Sequence, residues 1–199
     1  MSDAGLPQET STLLGGSDPT TWGRVGALSL SDDDFQLFGL ERRFAQDRAA
    51  IDERWKQLQR EAHPDRVSAQ GAAAQRVAMQ WSVRINEAYR RLKDPLPRAA
   101  YLCELRGAPI EAENNTAMPA DFLMQQMEWR EALDDADNEA ALDSLQAQLD
   151  AARQERLLDI ELALDQRDDA AAAAKHVRAL MFIERFAHDV EARFDQLGQ

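Results

Sequence analysis

The chain has 199 residues, 44% of them hydrophobic, with 7 Pro, 9 Gly and a formal net charge of −13. That length suits two small domains or one larger one, and the apolar content is enough for packed cores. A single cysteine, Cys103, excludes an internal disulfide and any cysteine-cluster metal site, and the apolar runs are too short and too charge-interrupted to span a membrane.

Charge is unevenly placed. Residues 1–34 carry 1 basic and 6 acidic side chains, residues 35–107 carry 14 and 9, and residues 108–199 carry 8 and 21. A basic middle followed by a strongly acidic end predicts two modules with different partners. Nucleic acid is not expected on the acidic end, because phosphate binding needs clustered Lys and Arg. Met1 to Gly5 lack the basic and apolar regions of a secretory signal, so the expected location is cytoplasmic.

Residues 1–31 mix Gly, Ser, Thr, Asp and Pro without a sustained period and predict a disordered leader, in which Trp22, Val25, Leu28 and Leu30 are able to dock locally. A helix start follows at Ser31-Asp32-Asp33-Asp34, where carboxylates accept from free backbone N–H groups. The apolar turn Phe35 to Leu40 stops near Gly39. Asp47 caps a helix predicted over 48–62, Gly71 precedes one over 72–93, and Pro95 and Pro97 punctuate before a fourth, about 97–106, ending at Gly107. Ile51, Trp55, Leu58 and Ala62 stripe the second helix; Val77, Trp81, Ile85, Tyr89 and Leu92 stripe the third. Complementary stripes predict an antiparallel hairpin with its tip at residues 63–71.

A polar linker over 108–118 leads to three more helices, about 119–136, 138–167 and 169–197. Leu142, Leu145, Leu149, Leu157, Ile160 and Leu164 stripe the middle one, and Leu180, Ile183, Ala187, Val190, Phe194 and Leu197 the last. No strand-like alternation competes anywhere. The expected class is all-α, with one helical domain over 32–107 and a three-helix domain over 119–199.

His63-Pro64-Asp65 sits at the predicted hairpin tip. As a turn and nothing more, Pro64 would stop a helix and its neighbours would be ordinary loop residues. The flanking stripes make the match specific: a helical hairpin with this tripeptide at its tip resembles a J domain, the module with which DnaJ-type co-chaperones trigger ATP hydrolysis in a DnaK-type chaperone. The resemblance implies that the chain is not itself an enzyme. Its tip and second helix would dock on the ATPase and shift it toward the hydrolysing state by differential binding. On that reading Pro64 fixes the loop, His63 and Asp65 supply polar contacts, and Arg54, Lys56, Arg60 and Arg66 face an acidic groove. Many family members have Lys where Arg66 stands, a change that keeps charge and alters hydrogen-bond geometry.

Further stretches narrow the resemblance. Asp34 to Leu40, Ile85 to Tyr89, Asp94 to Leu102 and Phe122 to Glu131 are similar to those of the HscB family, the J-type co-chaperones of iron–sulfur cluster assembly. Gly/Phe-rich and Cys-rich zinc segments of general J proteins are absent, and one cysteine leaves no tetracysteine module of the kind some eukaryotic members add. The resemblance covers residues 34–199. It implies two protein partners, the specialised chaperone HscA and an IscU-type iron–sulfur scaffold protein, and no cofactor.

Helix geometry supplies a separate argument for the second site. At about 100° per residue, Phe122, Trp129 and Leu133 fall on one stripe, while Leu123, Met124 and Met127 lie on another face. A three-helix bundle buries the first stripe and leaves the second apolar and unaccounted for. Glu128, Glu131 and Asp135 flank it, and Phe182, off the main stripe of the last helix, is placed to complete it. An exposed Leu/Met patch with an acidic rim suits the gripping of another protein. The alternative is a helix buried on both faces. In the HscB family this surface receives the scaffold.

The remaining constellations carry less. His176 and His188 are too far apart on one helix to share a metal ion and are expected to be surface or satisfied residues, and Cys103 is expected to be a packing residue. Two other functions stay open at this point: a J protein serving a different client, and a helical structural protein whose tripeptide is incidental.

Overall fold

The computed structural model describes residues 28–65, 71–111 and 117–197. Its helices are α1 (Asp34–Phe38), α2 (Arg48–Glu61), α3 (Ala72–Lys93), α4 (Pro95–Leu105), α5 (Ala120–Asp134), α6 (Glu139–Glu161) and α7 (Ala170–Leu197). A π-helical turn, Leu162–Gln166, extends α6. The fold is all-α: an α2–α3 hairpin with α1 and α4 packed against it, as the J-domain resemblance implies, then a three-helix bundle.

Local chemistry sets the helix ends. Asp33 Oδ1 accepts from Gln36 N–H at 2.9 Å while Gln36 Oε1 accepts from Asp33 N–H at 3.2 Å, a reciprocal capping box that starts α1. Gly39 ends α1 at φ 65°, a left-handed conformation that costs glycine little. Asp47 caps α2 through Ala49 N–H. Two expected boundaries shift. α4 begins at Pro95, two residues earlier than the spacing predicts, because a proline at the first helical position forfeits only an N–H that has no intrahelical partner. The segment read as one helix over 138–167 widens into the π turn near its end, and Asp168 then adopts φ 52° before α7.

Two apolar clusters hold the chain together. The first joins Phe35, Phe38, Ile51, Leu58, Trp81, Ile85 and Leu102 to Ile160, Leu164, Val177 and Leu180, so the α6–α7 end packs into the core of the hairpin domain. The second comprises Phe122, Trp129, Leu142, Leu145, Leu149, Ile183, Phe186 and Val190. α7 serves both. Burying a side chain of this size contributes about 1.5–3 kcal/mol, so each cluster outweighs any single surface contact. Leu28 and Leu30 lie half-buried against the first cluster; Trp22 and Val25 fall outside the described residues.

Polar struts complete the frame. Buried Asp34 pairs with Arg84 at 2.6 Å and Arg91 at 2.9 Å, tying α1 to α3. Arg178 of α7 donates to the carbonyls of Ile110 and Ala117, which flank residues 112–116. Among the described residues no helix is long and apolar enough to cross a membrane.

Candidate functional sites at the hairpin tip and on the fifth helix

The tip is displayed by a pair of helices that bury Ile51 and Leu58 of α2 against Trp81, Ile85 and Leu92 of α3. Trp55 stacks on Tyr89 with ring centroids 4.6 Å apart. Behind the tip, Asn86 Oδ1 accepts from Trp55 Nε1 at 3.0 Å and from Gln59 Nε2 at 2.8 Å. Ser82 Oγ donates to the carbonyl of Ala62, the residue before His63, at 3.2 Å. These contacts fix the register of α2 against α3 and hence where the tripeptide emerges. Sequence reasoning quoted Asn86 in a motif without a role and passed over Ser82. Their signal was available: two polar residues one turn apart, beside an otherwise apolar stripe.

At the tip the His63 side chain is 57% exposed and that of Asp65 91%. Asp65 N–H donates to His63 Nδ1 at 3.3 Å. The Asp65 carboxylate lies 3.6 Å from the same nitrogen, close to the ring and open to solvent. Arg66 falls outside the described residues.

Arg54, Lys56 and Arg60, the α2 cations singled out from the sequence, do not share a face. Lys56 and Arg60 are exposed one turn apart, and Glu53 lies 3.7 Å from Arg60. Arg54 is half-buried, donates to Gln57 Oε1 at 3.4 Å, and points about 120–160° away by helix geometry. Residues counted together because they avoid the apolar stripe thus divide between two sides of the helix.

The α5 surface has the opposite make-up. Phe122 and Trp129 are buried at 1% exposure each, whereas Leu123 is 50%, Met124 69% and Met127 65% exposed. Glu128, Glu131 and Asp135 are exposed beside them. Phe182 of α7 is half-buried, stacked on Phe186 at 5.7 Å and edge-on to Phe122 at 5.8 Å, so it belongs to the bundle core on one side and faces outward on the other. The Arg130 guanidinium sits 5.7 Å above its ring, and Arg130, Leu133, Asp134 and Phe182 line a shallow groove between α5 and α7. Sequence reasoning quoted Arg130 within the Phe122–Glu131 stretch without giving it a role, although it falls three residues after Met127 and seven after Leu123, on their side of the helix.

The other candidates are satisfied locally. His176 lies between Asp159 at 3.3 Å and Arg156 at 3.4 Å; burial, with the Arg156 charge adding to it, lowers its pKa against the pull of Asp159. His188 pairs with Glu191 on the surface. Cys103 is fully buried and its thiol is pushed up to about 11 by desolvation, which keeps it protonated. Among the described residues no group of His, Cys, Asp or Glu could hold a metal ion.

Residues 118–191 match the family described as HSCB C-terminal oligomerisation domain. The co-chaperone protein HscB homolog of Burkholderia multivorans is 52% identical over 173 residues, covering 85% of this chain and 98% of that protein. Its counterpart in Cupriavidus taiwanensis is 51% identical over 171 residues, covering 84% and 97%. Among solved structures, the chaperone HscB from Vibrio cholerae superposes with a TM-score of 0.69 at 35% identity, covering 83% of this chain and 99% of that one. The human co-chaperone protein HscB gives 0.77 at 28% identity, covering 90% and 92%. The architecture, the hairpin tip and these likenesses converge, and the chain belongs to the HscB family of co-chaperones.

Proposed function

We propose that the chain couples two proteins through two separate surfaces in the cytoplasm. His63, Pro64 and Asp65, with Lys56 and Arg60 on one side of α2, Arg54 on another and Arg66 next in the sequence, engage an HscA-type chaperone and stimulate its ATPase. Leu123, Met124, Met127 and Phe182, rimmed by Glu128, Glu131 and Asp135, hold an IscU-type iron–sulfur scaffold protein and deliver it. The division falls at the 108–118 linker, and the chain itself needs no cofactor. The observation that carries the second half is the exposure of Leu123, Met124 and Met127 on a helix whose other apolar stripe is already buried. Large exposed side chains of this kind, grouped and acid-rimmed, suit a partner that brings apolar anchors and basic side chains.

The test has two arms. Purified HscA-type chaperone is assayed for ATP hydrolysis with the chain added, and scaffold binding is measured directly by calorimetry. Stimulation together with scaffold binding supports the proposal. Stimulation without scaffold binding leaves a J protein for another client; neither result sinks both halves.

A further inference from the structure

We infer that Asp165 is a positioning residue that sets the direction of the tip-bearing hairpin relative to the α5 surface. This rests on the two-surface function proposed above. The apolar cluster that joins the α6–α7 end to the hairpin domain supplies attraction, but apolar burial is non-directional and does not by itself choose an angle. A fixed angle requires contacts of defined geometry across the same junction.

Asp165 provides them. It is the sole charged residue of the π-helical turn, and its side chain is only 5% exposed. The carboxylate accepts from Phe44 N–H at 2.6 Å and from Ala45 N–H at 2.8 Å. Those amides belong to the segment that joins α1 to α2, just before α2 begins at Arg48. Charge-assisted bonds from adjacent amides to both oxygens of one carboxylate fix the orientation of that backbone as well as its position. Arg43 Nε, 3.7 Å away, supplies a counter-charge.

The neighbouring contacts brace the same segment. Arg106, capping α4, donates to Leu164 O and to Arg42 O and pairs with Asp168 at 3.1 Å. Buried Arg98 donates to Phe44 O at 2.9 Å and covers the Phe44 ring at 5.3 Å. Arg98 and Arg106 anchor the segment to α4, and Asp165 links it to the bundle. A π turn is where an inserted residue changes the direction of the side chains around it, and here it coincides with the carboxylate that crosses the junction. Through this link the bundle that bears α5 determines where α2, and therefore the tip, points.

Pulsed electron spin resonance on the full chain reads that direction without either partner. Spin labels go on Ala73→Cys near the tip and Ser144→Cys on α6, both exposed positions outside the proposed surfaces; Cys103, fully buried, stays unlabelled. The unsubstituted junction gives one narrow distance distribution. Asp165→Asn, which replaces one acceptor oxygen by a donor facing an N–H, broadens or displaces it while helical circular dichroism is unchanged. An unaltered distribution overturns the inference. Should that variant fail to fold, Asp165→Glu keeps both acceptors on a longer arm and must displace the distribution; no displacement overturns the inference equally. With partners present, Asp165→Asn leaves the separate binding of each protein intact and lowers the ATPase stimulation obtained with both together by about tenfold, because linked sites lose their advantage when geometry prevents joint engagement. If the unsubstituted chain engages neither protein, the two-surface proposal fails while the distance result still decides the role of Asp165.

Discussion

The hairpin tip and the α5 face both project into solvent from helices with buried stripes, yet they differ in almost every physical respect. Among the described residues of the tip the exposed side chains, His63 and Asp65, are polar, and the backbone beneath them is held by Ser82, Asn86 and the stacked Trp55–Tyr89 pair. On α5 the exposed groups are Leu123, Met124 and Met127, flexible apolar side chains standing directly on the helix. The first surface depends on geometry and on specific donors and acceptors. The second depends on apolar area with a charged border. A site of the first kind should fail when one functional group changes, and a site of the second kind should fail when area is removed.

The largest effect is expected at the tip. His63→Gln or Asp65→Ala should abolish ATPase stimulation while helical circular dichroism and scaffold binding stay as in the unsubstituted chain. Both side chains are mostly exposed, so folding has little to lose, and surface substitutions usually change stability by no more than about 0.5 kcal/mol. Full stimulation by either variant would remove the tip from the mechanism. On α5, Leu123→Ala/Met124→Ala/Met127→Ala should weaken scaffold binding by about 30-fold or more, as expected when apolar anchors worth ≥ 2 kcal/mol are lost. Core residues of this type would instead cost roughly 2–5 kcal/mol of stability each on truncation. Thermal unfolding measured beside scaffold titration separates the two cases: a large fall in melting temperature, or unchanged affinity, would return the patch to ordinary packing.

A third prediction tests the claim that geometry governs the tip. Asn86 Oδ1 receives two side-chain donors, so Asn86→Ala strands Trp55 Nε1 and leaves Gln59 Nε2 only its longer bond to the Ser82 carbonyl at 3.5 Å. The cost should be about 1–3 kcal/mol, the penalty for leaving a partly buried donor without an acceptor, read as a lower urea midpoint. Stimulation should also fall although His63, Pro64 and Asp65 are untouched, and scaffold binding should not. Equal losses at both surfaces would mean that the variant is simply unstable.

How far the sequence reveals these two regions follows from the range of the interactions involved. Helix ends were legible because caps are local: Asp33, Gly39 and Asp47 announce themselves within a turn of the boundary. The stripes of α2 and α3 were legible because a period of 3.6 residues is a one-dimensional pattern, and the same arithmetic separated buried Phe122 and Trp129 from exposed Leu123 and Met127. What stayed hidden depends on distant segments. Asp165 reads as one more carboxylate in an acidic stretch until Phe44, about 120 residues earlier, is seen beside it. Arg130 reads as a solvated cation until Phe182 comes under it. The widening of α6 into a π turn has no periodic signature. The grouping of Arg54 with Lys56 and Arg60 shows a different gap: avoidance of the apolar stripe leaves more than half the helix circumference undetermined.

The smallest effects should come from the charged borders, and they sharpen the comparison because the two surfaces carry opposite signs. Lys56 and Arg60 give α2 a positive face, and Glu128, Glu131 and Asp135 give α5 a negative one. Arg60→Glu should therefore weaken chaperone engagement and leave scaffold binding alone, and Glu131→Lys should do the reverse. Single exposed charges contribute about 0.2–1 kcal/mol, so each change is a factor of roughly 1.4–5 in affinity. Most of it should appear in the association rate, since rim charges mainly steer encounter. Screening gives the control. Raising ionic strength from physiological to about 1 M shortens the Debye length from about 8 to about 3 Å, so salt should reduce both charge-reversal effects toward zero. The response of the unsubstituted chain then distinguishes the surfaces: the tip, with its polar contacts, should lose more affinity in salt than the α5 patch, whose Leu and Met anchors do not depend on charge. Equal salt sensitivity at the two surfaces would show that the α5 interaction is chiefly electrostatic, and the apolar anchors would lose their place as its main source of affinity.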